Sequence, residues 1–212
     1  LGRAIAGEPQ LVQVVGEPGI GKTRLVGEFV ACVDESVRVL ATQCLELAGH
    51  DVPLAPVQEL VHGAFRRWGA QAVREASGAY LPMLAVLEPA LLPAEDAPET
   101  GPVTNQRQLF SAVRHLLEQL ADAGPLLVVV EDVHWADEAT LDMLRYLAVA
   151  LDDVPVLLVA ERQTAGRGRL GRDWHSEGTA AAIRSGPMPG AASLTFSLAL
   201  PLAPRDWSGL SL

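Results

Sequence analysis

A glycine-rich segment near the start of the chain has the residue types and spacing needed to hold phosphate groups. It reads GEPGIGKT over residues 16–23 and fits the pattern G-x-x-x-x-G-K-[ST] at every fixed position. Its glycines are Gly16, Gly19 and Gly21. Glycines let successive backbone N–H groups turn inward around phosphate oxygens, and a helix after the loop points its positive end at them. We expect Lys22 to reach the β- and γ-phosphates of a nucleotide and the Thr23 hydroxyl to bind Mg²⁺. The alternative is a glycine-rich turn that contains Lys-Thr by chance.

An acidic pair, Glu131-Asp132, follows the apolar run Leu126–Val130 and is the second candidate element. A phosphate loop needs a metal-holding carboxylate at the end of a neighbouring strand. Both acids are candidate metal ligands. By position we assign Glu131 to the metal and Asp132 to polarising the attacking water. Because Glu rather than Asp comes first, this division stays open, and the alternative is an acidic pair that merely ends a strand.

Three further side chains follow predicted strands. Arg162 comes after the apolar run Val156–Ala160, where a catalytic sensor of the γ-phosphate would lie; the alternative is an ordinary surface arginine. His134 and Trp135 follow the acidic pair directly. We interpret this histidine and tryptophan as structural rather than catalytic.

Strands alternating with helices would position these groups. Apolar runs predict buried strands at 11–15, 37–44, 126–130 and 156–160. Helical spacing of apolar residues predicts helices after Thr23, around 56–68, 70–77 and 81–92, from Thr104 or Asn105 to Gly124, and over 138–151. Strands that are apolar on both faces imply a parallel sheet with helices on each side, an α/β fold.

Composition excludes several classes of protein. The chain has 212 residues, a formal net charge of −10 and 49% apolar residues, so it can bury a core but is a poor overall match for nucleic acid. Lys22 is its one lysine against 15 arginines. No apolar run approaches the ~20 residues that cross a bilayer, and the first residues lack the layout of a signal peptide. Cys32 and Cys44 have no metal-ligand spacing and are predicted to be reduced, buried thiols. We expect a soluble, cytoplasmic protein without membrane contact.

The charge is divided unevenly and suggests a boundary near residue 160. Residues 1–160 carry 10 basic and 22 acidic side chains, whereas residues 161–212 carry 6 basic and 4 acidic ones. The tail begins with a basic, glycine-rich loop, QTAGRGRLGRDW, whose arginines could close over a phosphate or carboxylate. The alternatives are a flexible surface loop or a weak RNA-binding segment. Alternation of polar and apolar residues predicts a strand over 193–200.

Three segments carry a more specific resemblance: GEPGIGKTRLVGEF, QCLELAGHDVPLAPVQEL and LLVVVEDVHWADEATLDMLRYLA. Over roughly residues 1–160 they resemble the Walker A and Walker B regions of signal-transduction AAA-type (STAND) ATPase modules, above all those of large ATP-binding LuxR-type regulators. The resemblance implies ATP and Mg²⁺ as cofactors, Lys22 and Thr23 at the phosphates, Glu131 and Asp132 at the metal, and Arg162 as sensor. It also implies a switch that controls assembly, with a homo-oligomer or a regulatory protein as partner. Nothing in these residues supports direct DNA binding.

The tail resembles a different family. QTAGRGRLGRDWHSEG, followed by GAASLTFSLAL, is similar to the biotin-binding loop and next strand of biotin protein ligases, over about residues 156–212. This resemblance implies biotin contacts at Gln163, Gly166, Arg167 and Arg169. The family's Ser/Thr-Thr-Asn and Lys-Trp-Pro-Asn-Asp segments are absent, and the tail has no lysine, so ligase activity is not expected. A natural fusion, a misassembled reading frame and a designed hybrid all remain open as origins.

Together these features predict two regions. Residues 1–162 form a three-layer P-loop NTPase core with a parallel sheet, and residues 163–212 form a truncated, ligase-like α/β tail. The predicted function is ATP-Mg²⁺ binding with weak hydrolysis. The alternatives are a nucleotide-gated interaction module without turnover and a biotin-protein-ligase fragment.

Overall fold

A parallel sheet organises the part of the chain that the computed structural model describes, namely residues 1–46, 52–92, 106–163, 166–167 and 173–174. Its strands are β1 (Gln10–Gly16), β2 (Arg38–Gln43), β3 (Leu126–Glu131) and β4 (Val156–Gln163). Their order across the sheet is β1-β4-β3-β2, and all neighbours run parallel. The fourth strand therefore lies between the first and the third, so the carboxyl ends of β1, β4 and β3 adjoin.

Helices cover both faces of this sheet. They are α1 (Gly2–Ile5), α2 (Lys22–Cys32), α3 (Ala55–Ser77), α4 (Leu81–Leu84), α5 (Gln106–Asp122) and α6 (Glu138–Ala150). Short 3₁₀ turns cover Gly78–Tyr80, Pro89–Leu91 and Val133–Trp135. None of these helices is long and apolar enough to cross a membrane.

Alternate residues of the strands enter different cores. On β3, Leu127 and Val129 pack into a core shared with Val26 of α2, whereas Val128 and Val130 enter the larger core formed with α3, α5 and α6. This division follows from the two-residue period of a strand, and it explains why the strands read as continuous apolar runs. The predicted three-layer α/β architecture is confirmed.

The long helix α5 follows its sequence pattern closely. Its predicted apolar face is buried throughout: Leu109, Phe110, Val113, Leu116, Leu117 and Leu120. The predicted N-cap residues, Thr104 and Asn105, lie outside the described residues.

The region between β2 and α5 follows the prediction only in part. The helices expected over 56–68 and 70–77 are confirmed, because α3 consists of two helical segments that meet at Gly69, where φ is +82° and ψ is 162°. The helix expected over 81–92 is wrong, because α4 ends at Leu84 and a separate 3₁₀ turn begins at Pro89. A proline disfavours helical geometry at the residue before it, and the backbone of Glu88 is indeed not helical, with φ −134° and ψ 87°.

Little of the predicted tail falls within the described residues. Gln163 is the last residue of β4 and pairs with Gly16 of β1. Beyond it, β5 (Gly166–Arg167) and β6 (Asp173–Trp174) form a short antiparallel pair. The strand expected over 193–200 and the proposed biotin contact Arg169 lie outside the described residues.

The two cysteines occupy different environments, so the prediction that both are buried is wrong for one of them. Cys44 is buried directly after β2, whereas Cys32 is exposed at the end of α2. On α2 the buried and half-buried apolar residues are Val26, Phe29 and Val30, and position 32 projects away from them. Both thiols are free.

This difference predicts selective thiol chemistry. Burial raises the pKa of Cys44 to about 12, with Asp137 and Asp132 adding to the effect. At pH 8 about one Cys44 side chain in 10⁴ is then a thiolate, and reagents cannot reach it. We expect Ellman's reagent to modify one thiol per native chain and two in urea, followed by absorbance. Cys32→Ser should leave no native reactivity, and two fast native thiols would contradict the burial of Cys44.

Candidate functional site

The phosphate loop lies between β1 and α2, at the carboxyl edge of the sheet. Gly16 ends β1, and Lys22 and Thr23 are the first two residues of α2. Gly19 and Gly21 have φ angles of +77° and +94°, which residues with a Cβ atom rarely adopt. The glycine spacing is therefore what allows the chain to turn from the strand into the helix here. The first backbone N–H groups of α2 face this turn without partners inside the helix.

Lys22 is held against the loop rather than extended into water. Its side chain is only 7% exposed, and Nζ donates a hydrogen bond to the Glu17 carbonyl oxygen at 2.9 Å. The remaining ammonium hydrogens can serve an anion bound in the loop. A compact cation is thereby placed where the sequence pattern predicts the phosphates.

Two glutamates from neighbouring strands face the helix that begins with this lysine. Glu131 ends β3 and Glu161 lies near the end of β4, and each continues the strand positions that pack against α2. The register that pairs Val130 with Ala160 sets them side by side on adjacent strands. Burial raises the pKa of Glu131 above its ordinary value of 4.5, and the charges of Glu161 and Asp132 raise it further. The site thus concentrates negative charge at the carboxyl edge.

Glu161 connects β4 to the phosphate loop. Among the described side chains, it is the one on a neighbouring strand that forms a hydrogen bond with a residue of this loop. Its Oε1 accepts a hydrogen bond from the Thr23 hydroxyl at 2.8 Å. The residue is only 2% exposed, and within the described part of the chain its Oε2 has no hydrogen-bond partner. Glu161 was not among the site residues that the sequence predicts. Continuing the alternation of Leu157 and Val159 could have identified its direction, but not its partner.

Asp132 sits at a sharp bend after β3. Its backbone is left-handed, with φ +54°, and begins the 3₁₀ turn Val133–Trp135. Its Oδ2 accepts a hydrogen bond from Gln43 Nε2 at 2.9 Å, and its Oδ1 lies 3.8 Å from His134 Nδ1. Gln43, at the end of β2, was missed by the sequence analysis because nothing in its own neighbourhood signals a contact across the sheet. The bend places the Asp132 carboxylate against the end of β2.

The pKa of His134 is affected by the charged residues of this site. Burial lowers its pKa below the ordinary value of 6.5; the nearby charges of Lys22 and Arg162 add to this, whereas Asp132 and Glu46 oppose it. Arg162 lies opposite Val15 of β1 in the strand register. Lys22, Arg162 and Asp132 are therefore all near enough to His134 to influence its charge. The ring also contacts Trp135, with 5.0 Å between centroids.

Of the proposed biotin contacts, Gln163 is the one whose side chain is described, and it lies at the edge of this cluster. Gln163 is half-buried beside the phosphate loop, as its pairing with Gly16 requires. Gly166 and Arg167 belong to β5, of which only the backbone is described.

The oxygen atoms of this site fit Mg²⁺. This ion usually takes one or two carboxylates and fills its other positions with water and substrate phosphates. Thr23, Glu131 and Asp132 offer such oxygens, and the unpartnered Oε2 of Glu161 adds a buried negative charge. Among the described residues, no three acidic, histidine or cysteine side chains converge to hold a metal by themselves. A metal here would therefore depend on phosphate oxygens as well as on the protein.

The sheet order and the loop at its carboxyl edge define a P-loop ATPase-type α/β module. Comparison with family models matches the AAA ATPase domain over residues 1–159, and the chain belongs to this family. The match ends within β4, before the basic loop. An uncharacterized protein of Rhizobium meliloti (strain 1021) is 30% identical over 183 residues. That alignment covers 80% of this chain but only 17% of the relative, so the chain spans less than a fifth of that protein.

Proposed function

We propose that the chain binds ATP with Mg²⁺ and hydrolyses it slowly, as the nucleotide switch of a larger regulatory protein. The observation that carries the proposal is the hydrogen bond between Thr23 of the phosphate loop and Glu161 of β4. It joins the loop to the strand ends where Glu131 and Asp132 also lie.

Each side chain has a separate part in this proposal. Lys22 and the N–H groups around Gly19 and Gly21 bind the phosphates, and Thr23 and Glu131 hold the metal. When bound, Mg²⁺ would neutralise charge on the β- and γ-phosphate oxygens. Asp132 would accept a hydrogen bond from the attacking water and take its proton as the water oxygen bonds to the γ-phosphorus, while the bond from that phosphorus to the bridging oxygen breaks and ADP leaves.

Arg162 is the proposed sensor of the γ-phosphate. Its position on β4, between the loop strand and the acidic strand, supports this part. A guanidinium bound to the γ-phosphate would lose its partner when that group leaves, which would couple the nucleotide state to β4. A change in assembly, either between copies of the protein or with a regulatory partner, would then follow hydrolysis.

One contact favours a second candidate, a module that binds ATP without turnover. The Asp132 carboxylate already accepts a hydrogen bond from Gln43. If this bond persists with nucleotide bound, the carboxylate is less available to an attacking water. Binding would then act as the signal by itself.

Titration calorimetry and phosphate release test these proposals together. We expect ATP to bind in the presence of Mg²⁺, GTP to bind more weakly, and phosphate to appear slowly. ATP-dependent assembly without phosphate release, seen by light scattering, would favour the module without turnover. Failure of ATP to bind would overturn both. Adding biotin and a carrier domain tests the ligase resemblance, because labelling of the carrier would contradict the expected lack of ligase activity.

A further inference from the structure

The acidic partner of the Thr23 hydroxyl comes from β4 and not from the acidic pair that ends β3. We propose that Glu161, rather than Glu131, positions the Thr23 hydroxyl so that its oxygen can bind Mg²⁺. This inference rests on the proposed function and identifies how the metal site is held.

The hydrogen bond from Thr23 to Glu161 determines where the hydroxyl lone pairs point. A threonine hydroxyl has one proton to donate and two lone pairs. In this structure the proton is donated to Glu161 Oε1 at 2.8 Å. The lone pairs then point away from the carboxylate and are free for a cation. A rotated hydroxyl would direct its proton toward the cation and bind it poorly.

The acceptor, Glu161, is held rigidly by its surroundings. Glu161 is 2% exposed, and its strand is flanked by β1 on one side and β3 on the other. A side chain enclosed in this way has few alternative rotamers, so it can hold the hydroxyl in one orientation. Glu131 is only half-buried. It is therefore the carboxylate left free to bind the metal directly or through water.

The buried negative charge of Glu161 also favours a bound cation. Burying a carboxylate is costly unless its oxygens are compensated, and within the described residues Oε2 of Glu161 has no partner. The charge of Glu161 also reaches Glu131. A divalent cation held between these strand ends and the Thr23 hydroxyl would offset both effects. The arrangement is thus suited to a bound metal more than to an empty site.

The test is a double-mutant cycle of Thr23→Val and Glu161→Gln in the full chain. Titration calorimetry measures ATP affinity with Mg²⁺ and with EDTA, and their ratio gives the metal-dependent gain. Glutamine has the size of glutamate but is a weaker, neutral acceptor. Glu35→Gln serves as the matched control, because Glu35 is exposed and precedes β2 at the opposite edge of the sheet.

We expect Glu161→Gln to reduce the metal-dependent gain by about 10–100-fold, the usual cost of losing the partner of a metal ligand. Affinity in EDTA and the circular dichroism spectrum should not change, since the loop and Lys22 are intact. In the Thr23→Val background, Glu161→Gln should have a much smaller effect, because only the attraction between the Glu161 charge and the cation is then lost. Glu161→Asp, which keeps the charge but withdraws the carboxylate, should resemble Glu161→Gln.

Other results would overturn the proposal. A metal-dependent gain that is unchanged in Glu161→Gln would refute the proposal and leave the proposed function standing. A gain that is absent in the wild type, while ATP still binds, would refute both the proposal and the Mg²⁺ part of the proposed function. A loss that keeps its full size in the Thr23→Val background would make Glu161 a direct ligand instead. Equal losses with Mg²⁺ and EDTA would indicate a purely structural role. Absence of ATP binding in the wild type would overturn the proposed function as well.

Discussion

Lys22→Ala is expected to lower ATP affinity by at least about 100-fold, which is the scale of losing two charge-assisted hydrogen bonds. The ammonium is buried against the loop and is held there by the Glu17 carbonyl. Removing it takes away the lysine contact with the β- and γ-phosphates, while the backbone N–H groups of the loop remain. Titration calorimetry with ATP and Mg²⁺ measures the loss directly.

Two variants make the Lys22 result specific. Lys22→Arg keeps the charge but replaces a compact cation with a planar fork, which the buried position cannot accommodate; we expect it to bind ATP weakly too. Arg3→Ala removes one positive charge from an exposed pair with Glu8, before β1 at the far edge of the sheet, and should leave affinity unchanged. Unaltered ATP binding by Lys22→Ala would exclude the phosphate loop as the nucleotide site.

Asp132→Asn is expected to reduce the rate of phosphate release by about 10²–10⁴-fold, the usual contribution of a general base, without weakening ATP-Mg²⁺ binding. Asparagine suits the position because it tolerates the left-handed backbone and can still accept the hydrogen bond from Gln43. The substitution therefore removes the negative charge while keeping the turn. Steady-state phosphate release and calorimetry on the same protein separate the two effects.

Glu131→Gln provides the contrast. If Glu131 holds the metal and Asp132 acts on water, Glu131→Gln should weaken the metal-dependent part of ATP binding. Asp152→Asn, at an exposed position before β4, should alter neither quantity. The opposite pattern, with Asp132→Asn losing metal-dependent affinity, would exchange the two roles. Normal turnover in Asp132→Asn would exclude it as the base.

Much of the local structure follows from short stretches of sequence. The helix α5 and the apolar strands β3 and β4 were predicted because periodicity over a few residues decides which side chains are buried. The phosphate loop was predicted because its glycines meet backbone requirements that depend only on neighbouring residues. The helix predicted over 81–92 was wrong for an equally local reason. Pro89 disfavours helical geometry at Glu88, and this constraint outweighed the apolar pattern.

Contacts between distant strands did not follow in this way. Glu161 and Thr23 are separated by 138 positions, and Gln43 and Asp132 by 89. Neither pair has a local signal, because each depends on which strands are neighbours. The sheet order places β4 beside β1 and β3, and only that order brings a buried glutamate to the threonine of the loop.

The sequence by itself therefore determined the phosphate loop, its single lysine, the acidic pair and the alternation of strands and helices. These depend on backbone geometry and burial over short distances. The tertiary structure decided which carboxylate contacts Thr23, how Asp132 is held and which cysteine is exposed. Those outcomes depend on strand order and on which helix covers each face, and they are set by the packing of the whole core rather than by any segment alone.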